Sequence, residues 1–151
     1  MKKFDKDFYM LTKDVLKNEH FRKSKKYRHH IKSNAYDHSV KVAYLCYLHH
    51  KRFKLRINLN ELLRGALLHD FYLYERGSKN KEHRMHGVKH PRVALENANL
   101  HFSDLTKVEA DIIKHHMFPL TLVPPRTRAG WLVCFYDKVA TISDLFSKRK
   151  G

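Results

Sequence analysis

Cysteine is nearly absent: Cys46 and Cys134 are the only two in 151 residues. That is too few for a disulfide framework or a Cys-rich zinc site. Each lies in an apolar helical context that suits a buried free thiol, and a reducing, cytoplasmic setting is the expectation. The apolar run of about 18 residues that a bilayer span requires is missing. Met1 to Asp7 also has no signal-peptide core behind it, so no membrane partner is expected. Acid is scarce as well. Against 31 Lys and Arg stand 15 Asp and Glu, a formal charge of +16, and the imbalance favours anionic partners such as phosphorylated small molecules, RNA, DNA or acidic lipid. Alternating apolar and polar runs are missing too, as are repeats and low-complexity tracts, so the fold class read from the chain is all-α: a single-domain helical bundle of about six helices. A chain of this length forms a core without disulfide support.

What the chain does hold is histidine, 13 in all and scattered. The stretch from Leu62 to Asp70 places Leu62, Leu63, Ala66 and Leu67 at helical spacing and then ends in His69 and Asp70. An imidazole nitrogen and a carboxylate oxygen side by side suit a divalent cation, and the second carboxylate oxygen can bridge to another.

Taken in order, residues 1–33 read as an N-terminal helix carrying Phe4, Phe8, Leu11 and Val15 on one face, followed by the basic block Arg22 to Arg28. His29 and His30 either line a cleft or lie on the surface. Val40, Ala43, Tyr44, Tyr47 and Leu48 predict a helix from about Tyr36 to Phe53, with His38 in its first turn. Asn58 and Glu61 resemble a capping box for the helix that reaches Asp70. Gly65 within it costs about 1 kcal/mol relative to Ala, which points to close helix packing. Glu75 to Gly87 reads as a long exposed loop, of the kind that works as a lid or binding segment. Lys89-His90-Pro91 predicts the start of a short helix, since proline suits a first turn. Ser103 and the Thr106–Glu109 pair offer caps for another, which ends in His115-His116. The last helix, about Ala129 to Phe146, carries Trp131, Leu132, Cys134, Phe135, Val139, Ile142, Leu145 and Phe146, and Asp137 lies in the middle of this apolar run, where a carboxylate is costly unless it is paired, hydrogen-bonded, coordinating, or on an exposed stripe next to Lys138.

Three segments together carry a resemblance: Tyr36-Asp-His-Ser-Val-Lys-Val-Ala43, Gly65-Ala-Leu-Leu-His-Asp70 and Cys134-Phe-Tyr-Asp-Lys-Val-Ala140. A lone His, a His-Asp dipeptide and a distal Asp resemble the HD superfamily of metal-dependent phosphohydrolases. The resemblance implies an HD-type helical domain over residues 34–151, preceded by the helix and basic connection of residues 1–33. It implies that His38, His69, Asp70 and Asp137 hold one divalent metal, with Asp70 and His69 as the catalytic pair. Lys89-His-Pro91 and Ile113-Lys-His-His116 look like the extra positions of two-metal members, so that His90, His115 and His116 would hold a second ion. Two departures stand out: Leu73 replaces the Lys that commonly follows the His-Asp pair, and no Gly-Tyr-Pro follows His116.

The implied activity is hydrolysis of a phosphate ester in a nucleotide or related phosphorylated substrate by metal-activated water. Iron, manganese, zinc and nickel all suit mixed imidazole and carboxylate ligands. Lys89, Arg92, Arg126, Arg128 and Lys138, close in sequence to the proposed ligands, are candidates to hold phosphate. The rival reading is a basic nucleic-acid-binding module on the same helical scaffold, with affinity falling steeply as salt is added.

Overall fold

A computed structural model describes residues 4–30, 33–75 and 85–147. It is an all-α bundle with seven α-helices among the described residues: α1 (Lys6–Lys17), α2 (Glu19–Lys23), α3 (Ala35–Phe53), α4 (Leu59–Leu68), α5 (His86–His101), α6 (Lys107–His115) and α7 (Arg128–Phe146).

Helix α4 is the centre. Leu62, Leu63, Ala66, Leu67 and Leu68 are all fully buried, and the helix packs against α1, α3, α6 and α7. Gly65 is the reason α6 can approach closely. A Cβ there would come within 2.5 Å of the Ile112 Cδ1 atom, which agrees with the packing role its sequence context suggests.

Side-chain oxygens set the helix starts. Asn34 Oδ1 accepts from the Asp37 amide at 2.8 Å to open α3, and the Asn58 half of the expected capping box opens α4 through the Asn60 and Glu61 amides. Thr106 and Glu109 form a complete reciprocal box at α6, satisfying two amides that the helix itself cannot. Helix α3 ends at Lys54, whose φ of 48° is left-handed, the conformation that stops a helix cleanly.

One expectation is corrected and one feature is added. The basic connection after α2 contains a short antiparallel hairpin, β1 (Arg28–His30) with β2 (Ser33–Asn34). Strands of three and two residues are too short for an alternating pattern to register in sequence. Helix α5 begins at His86, before Lys89-His90-Pro91, and Pro91 lies inside it. Proline lacks an N–H and so removes one helical bond, but the helix continues through it. The expected loop therefore loses His86 and Gly87 to α5, while its residues 76–84 fall outside the described residues. Phe8, Val15 and Phe21 from α1 and α2 join the same apolar cluster as α3 and α4.

Candidate metal centre

Helices α3 to α7 each deliver a polar side chain to one buried point, and the hairpin adds another. His38 comes from the first turn of α3, His69 and Asp70 from the end of α4, His90 from α5, His116 from the end of α6 and Asp137 from the middle of α7. All six are buried. Asp70 is the hub. Its Oδ1 lies 3.0 Å from His90 Nε2 and 3.4 Å from His116 Nε2, and its Oδ2 lies 3.0 Å from His29 Nδ1, 3.5 Å from His69 Nε2 and 3.7 Å from His38 Nε2. Asp137 Oδ1 accepts from His38 Nε2 at 2.8 Å and lies 3.5 Å from His69 Nε2.

The orientation of three rings is fixed by the backbone. His69 Nδ1 donates to the Ala66 carbonyl at 2.6 Å, His90 Nδ1 to the His86 carbonyl at 2.7 Å and His116 Nδ1 to the Ile113 carbonyl at 2.8 Å. A carbonyl only accepts, so the ring proton sits on Nδ1 and the Nε2 lone pair of each neutral ring faces Asp70. Lone pairs and an anionic carboxylate pointed at one another call for a cation, and a backbone bond from the remote nitrogen is the usual way a metal-binding imidazole is held. His69 Nε2 and both Asp70 oxygens are buried without a well-formed hydrogen bond among the described residues. Such groups are expensive to bury unless something coordinates them.

Without a cation the cluster draws protons instead: burial alone would lower the pKa of His69, but Asp70 and Asp137 outweigh it and raise it. Burial alone would raise the pKa of Asp70, but His69, His29, His116 and His90 outweigh it and hold the carboxyl well below its usual range. Asp137 is likewise held low, by His38 and His69 against the effect of burial. His116 is pushed down, chiefly by burial, which favours the neutral ring that a metal requires. Two sets of donor atoms lie within 4.8 Å of one another: His29, His38, Asp70 and Asp137, and His69, Asp70 and His116. Asp70 belongs to both, and mixed imidazole and carboxylate donors of this kind fit a divalent transition metal.

His115 lies elsewhere. Its Nδ1 donates to Asp111 Oδ1 at 2.8 Å, and Asp111 also accepts from the Arg126 and Thr127 amides and the Thr127 hydroxyl. Successive residues at a helix end point about 100° apart, so of two adjacent histidines one faces the centre and the other turns away.

Three residues near the centre were not singled out as ligands from sequence. His29 stacks on His38 with ring centroids 3.8 Å apart, and only its place just ahead of α3 hinted at a cleft. His86 stacks on His90 at 4.5 Å and hydrogen-bonds to the Tyr74 hydroxyl at 2.9 Å. Asp144, one turn beyond the cleft-lining Lys138 and Thr141 region of α7, places Oδ2 3.9 Å from His38 Nδ1 and Oδ1 2.6 Å from Lys41 Nζ.

A cleft of about 600 Å³ opens onto the cluster, with Asp70, His90 and Asp137 at its floor and Met117, Pro119, Leu120 and Ile142 on its wall. Of the basic residues expected to hold phosphate, Lys138 lines it, with Nζ 3.1 Å from the His116 carbonyl. Lys89 is outside the lining, Arg92 faces solvent near Glu96, Arg126 engages Asp111 through its amide and Arg128 lines a second groove.

Residues 35–142 match the family model described as the HD domain. The chain belongs to the HD domain family. That match spans most of the chain and runs from the first residue of α3 almost to the end of α7, taking in His38, the His69-Asp70 pair and Asp137. The HD superfamily is one of metal-dependent phosphohydrolases. No curated protein and no solved structure matches the chain.

Proposed function

We propose that this HD domain protein hydrolyses a phosphate ester of a nucleotide or a closely related phosphorylated molecule. The observation that carries the reading is the shared orientation of His69, His90 and His116, each tied to a main-chain carbonyl with Nε2 turned on Asp70. His38, His69, Asp70 and Asp137 would hold one divalent cation, and His90 and His116, sharing Asp70, a second. When bound, such a cation lowers the pKa of a coordinated water toward neutrality and offsets charge on phosphoryl oxygens.

The protein's own residues supply position. Asp70 stays ionised, so it is available as a shared acceptor between the two halves of the cluster. His38 and His69 keep Asp137 ionised and fixed. Lys138 brings a positive charge to the cleft rim beside the cluster, suited to a phosphoryl oxygen. The apolar wall of Met117, Pro119, Leu120 and Ile142 suits a base or other flat apolar body, and the charge of +16 favours capture of an anion.

The test is metal analysis of the purified protein together with a screen of phosphomonoesters and phosphodiesters, nucleotides included, for wild type and Asp70→Ala. The expected result is a bound transition metal and turnover in wild type, both lost in the variant. A wild type without bound metal, and an Asp70→Ala variant with unchanged metal content and activity, would overturn the reading. Salt-dependent binding of oligonucleotide that persists in chelator without turnover would favour a nucleic-acid-binding module instead.

A further inference from the structure

The family-matched residues begin at position 35, yet one imidazole at the centre comes from ahead of them. His29 lies on β1, and its side chain is buried beside the cleft. Two contacts with distant parts of the chain hold it there. Its ring stacks on His38, with centroids 3.8 Å apart and planes 24° from parallel. The Tyr72 hydroxyl donates to the Arg28 carbonyl at 3.1 Å, so a side chain two residues beyond Asp70 ties down the main chain next to His29. The result is His29 Nδ1 at 3.0 Å from Asp70 Oδ2.

Close as these two atoms are, they are not aligned as a hydrogen bond, and Asp70 Oδ2 has no aligned partner among the described residues. Two ligand atoms about 2.0–2.2 Å from one cation and at right angles across it lie about 3 Å from each other. The spacing is that of neighbouring ligands, and His29, His38, Asp70 and Asp137 form a donor set whose atoms all lie within 4.8 Å of one another. Tyr72, whose hydroxyl oxygen is 3.3 Å from His29 Nδ1, does not compete for that nitrogen. Its single proton goes to the Arg28 carbonyl, which can only accept.

We infer that His29 is a further ligand of the cation held by His38, Asp70 and Asp137, and that metal binding thereby fastens the hairpin to the helical bundle. This rests on the metal reading above and adds to it a ligand from outside the family-matched segment. The coupling is reciprocal: whatever factor His29 adds to metal affinity, bound metal reduces opening of the hairpin by the same factor. Arg28 makes that opening measurable. It is exposed and immediately precedes His29, so trypsin recognises the Arg28–His29 bond, and cutting inside an ordered hairpin requires local opening. With fast reclosing and little protease, the cleavage rate follows the population of the open form.

The experiment uses the full chain as wild type, His29→Gln and His29→Ala, each stripped with chelator and reloaded with Co²⁺. Competition against a chelator gives affinity, the visible absorption of Co²⁺ reports its ligands, and mass spectrometry after limited trypsin treatment gives the rate of cleavage after Arg28. Both variants are expected to bind Co²⁺ about tenfold or more weakly than wild type, with altered absorption at saturation. Co²⁺ is expected to slow cleavage after Arg28 by a similar factor in wild type and to leave it unchanged in the variants. A wild type that takes up no Co²⁺ would overturn this inference together with the metal reading. If wild type and both variants bind Co²⁺ with equal affinity, the inference alone fails. Weaker binding with unchanged absorption would also overturn it, since His29 would then only prop Asp70. The wild-type arm needs no variant to fold: bound Co²⁺ that leaves cleavage after Arg28 unchanged removes the coupling.

Discussion

His90 Nε2 and His116 Nε2 face one another at 2.9 Å, although the Nδ1 of each ring is already committed to a carbonyl. Two neutral rings so arranged present lone pair to lone pair, which suits a cation between or beside them. His38, whose pKa is raised to about 9 by Asp137, Asp144 and Asp70 against the effect of burial, is protonated at neutral pH, so adding Mn²⁺ or Zn²⁺ to chelator-stripped protein is expected to release protons. An indicator-dye titration in weak buffer reads this directly; metal uptake without proton release would contradict the arrangement.

The pH dependence of the metal-free fold has a definite sign. Burial alone would lower the pKa of His38, but Asp137, Asp144 and Asp70 outweigh it and raise it from 6.5 to about 9. A group whose folded pKa is raised contributes stability fully below its unfolded value, and that contribution is lost as pH climbs through the folded value. In chelator, the Tm contribution of His38 should thus be full below pH 6.5 and disappear toward 9. His38→Gln in chelator should lack this component, which a Tm series over that range would reveal by difference.

The neighbours His115 and His116 should separate cleanly. His116→Gln removes an imidazole that faces Asp70 and is expected to weaken metal binding by about tenfold or more. His115→Gln leaves those donors in place and changes instead the bond to Asp111. Its expected effect is a lower Tm at unchanged metal stoichiometry, measured by elemental analysis and thermal unfolding on the same samples.

Asp144 is expected to act as a positioning residue through His38. Carboxylates behind a metal-binding imidazole typically change metal affinity by about 10–100-fold when removed. At the 3.9 Å separation seen here, the lower end of that range is the expected cost of Asp144→Asn, with the metal stoichiometry kept at saturation. A competition titration against a chelator distinguishes this from outright loss of the site.

Two glycines mark where backbone approach sets stability. Gly65→Ala would drive a methyl to 2.5 Å from Ile112 Cδ1, and Gly130→Ala to 2.6 Å from Asp111 Oδ2. Overpacking of this kind typically costs about 1–3 kcal/mol. Denaturant unfolding should place both variants in that range, with the Gly130 change also disturbing the tie from Asp111 to the Arg126 and Thr127 amides.

The all-α fold and the meeting of His38, His69, Asp70 and Asp137 were legible because residue type and helical spacing carry them. His38 and Asp137 lie 99 positions apart yet bond directly, and nothing but the order of His, His-Asp and Asp announces that contact. The rest was hidden for physical reasons. His29 sits on a strand of three residues, too short to show a period. His115 and His116 are equivalent in sequence, and only the turn of the helix end separates them. Pro91 read as a helix start because proline favours that position, while the bundle tolerates it inside α5.

Helix α1 inserts Phe8 into the bundle at zero exposure, against Tyr44 and Tyr47, and the hairpin that carries His29 follows it. A shortened chain trimmed to the family-matched residues 35–142 would open a wet hole over α4 and discard an imidazole that leans on the shared carboxylate. A fragment that starts ahead of Phe8 is therefore expected to be more stable than one cut to the family signature, because it keeps both the apolar plug and the His29 imidazole.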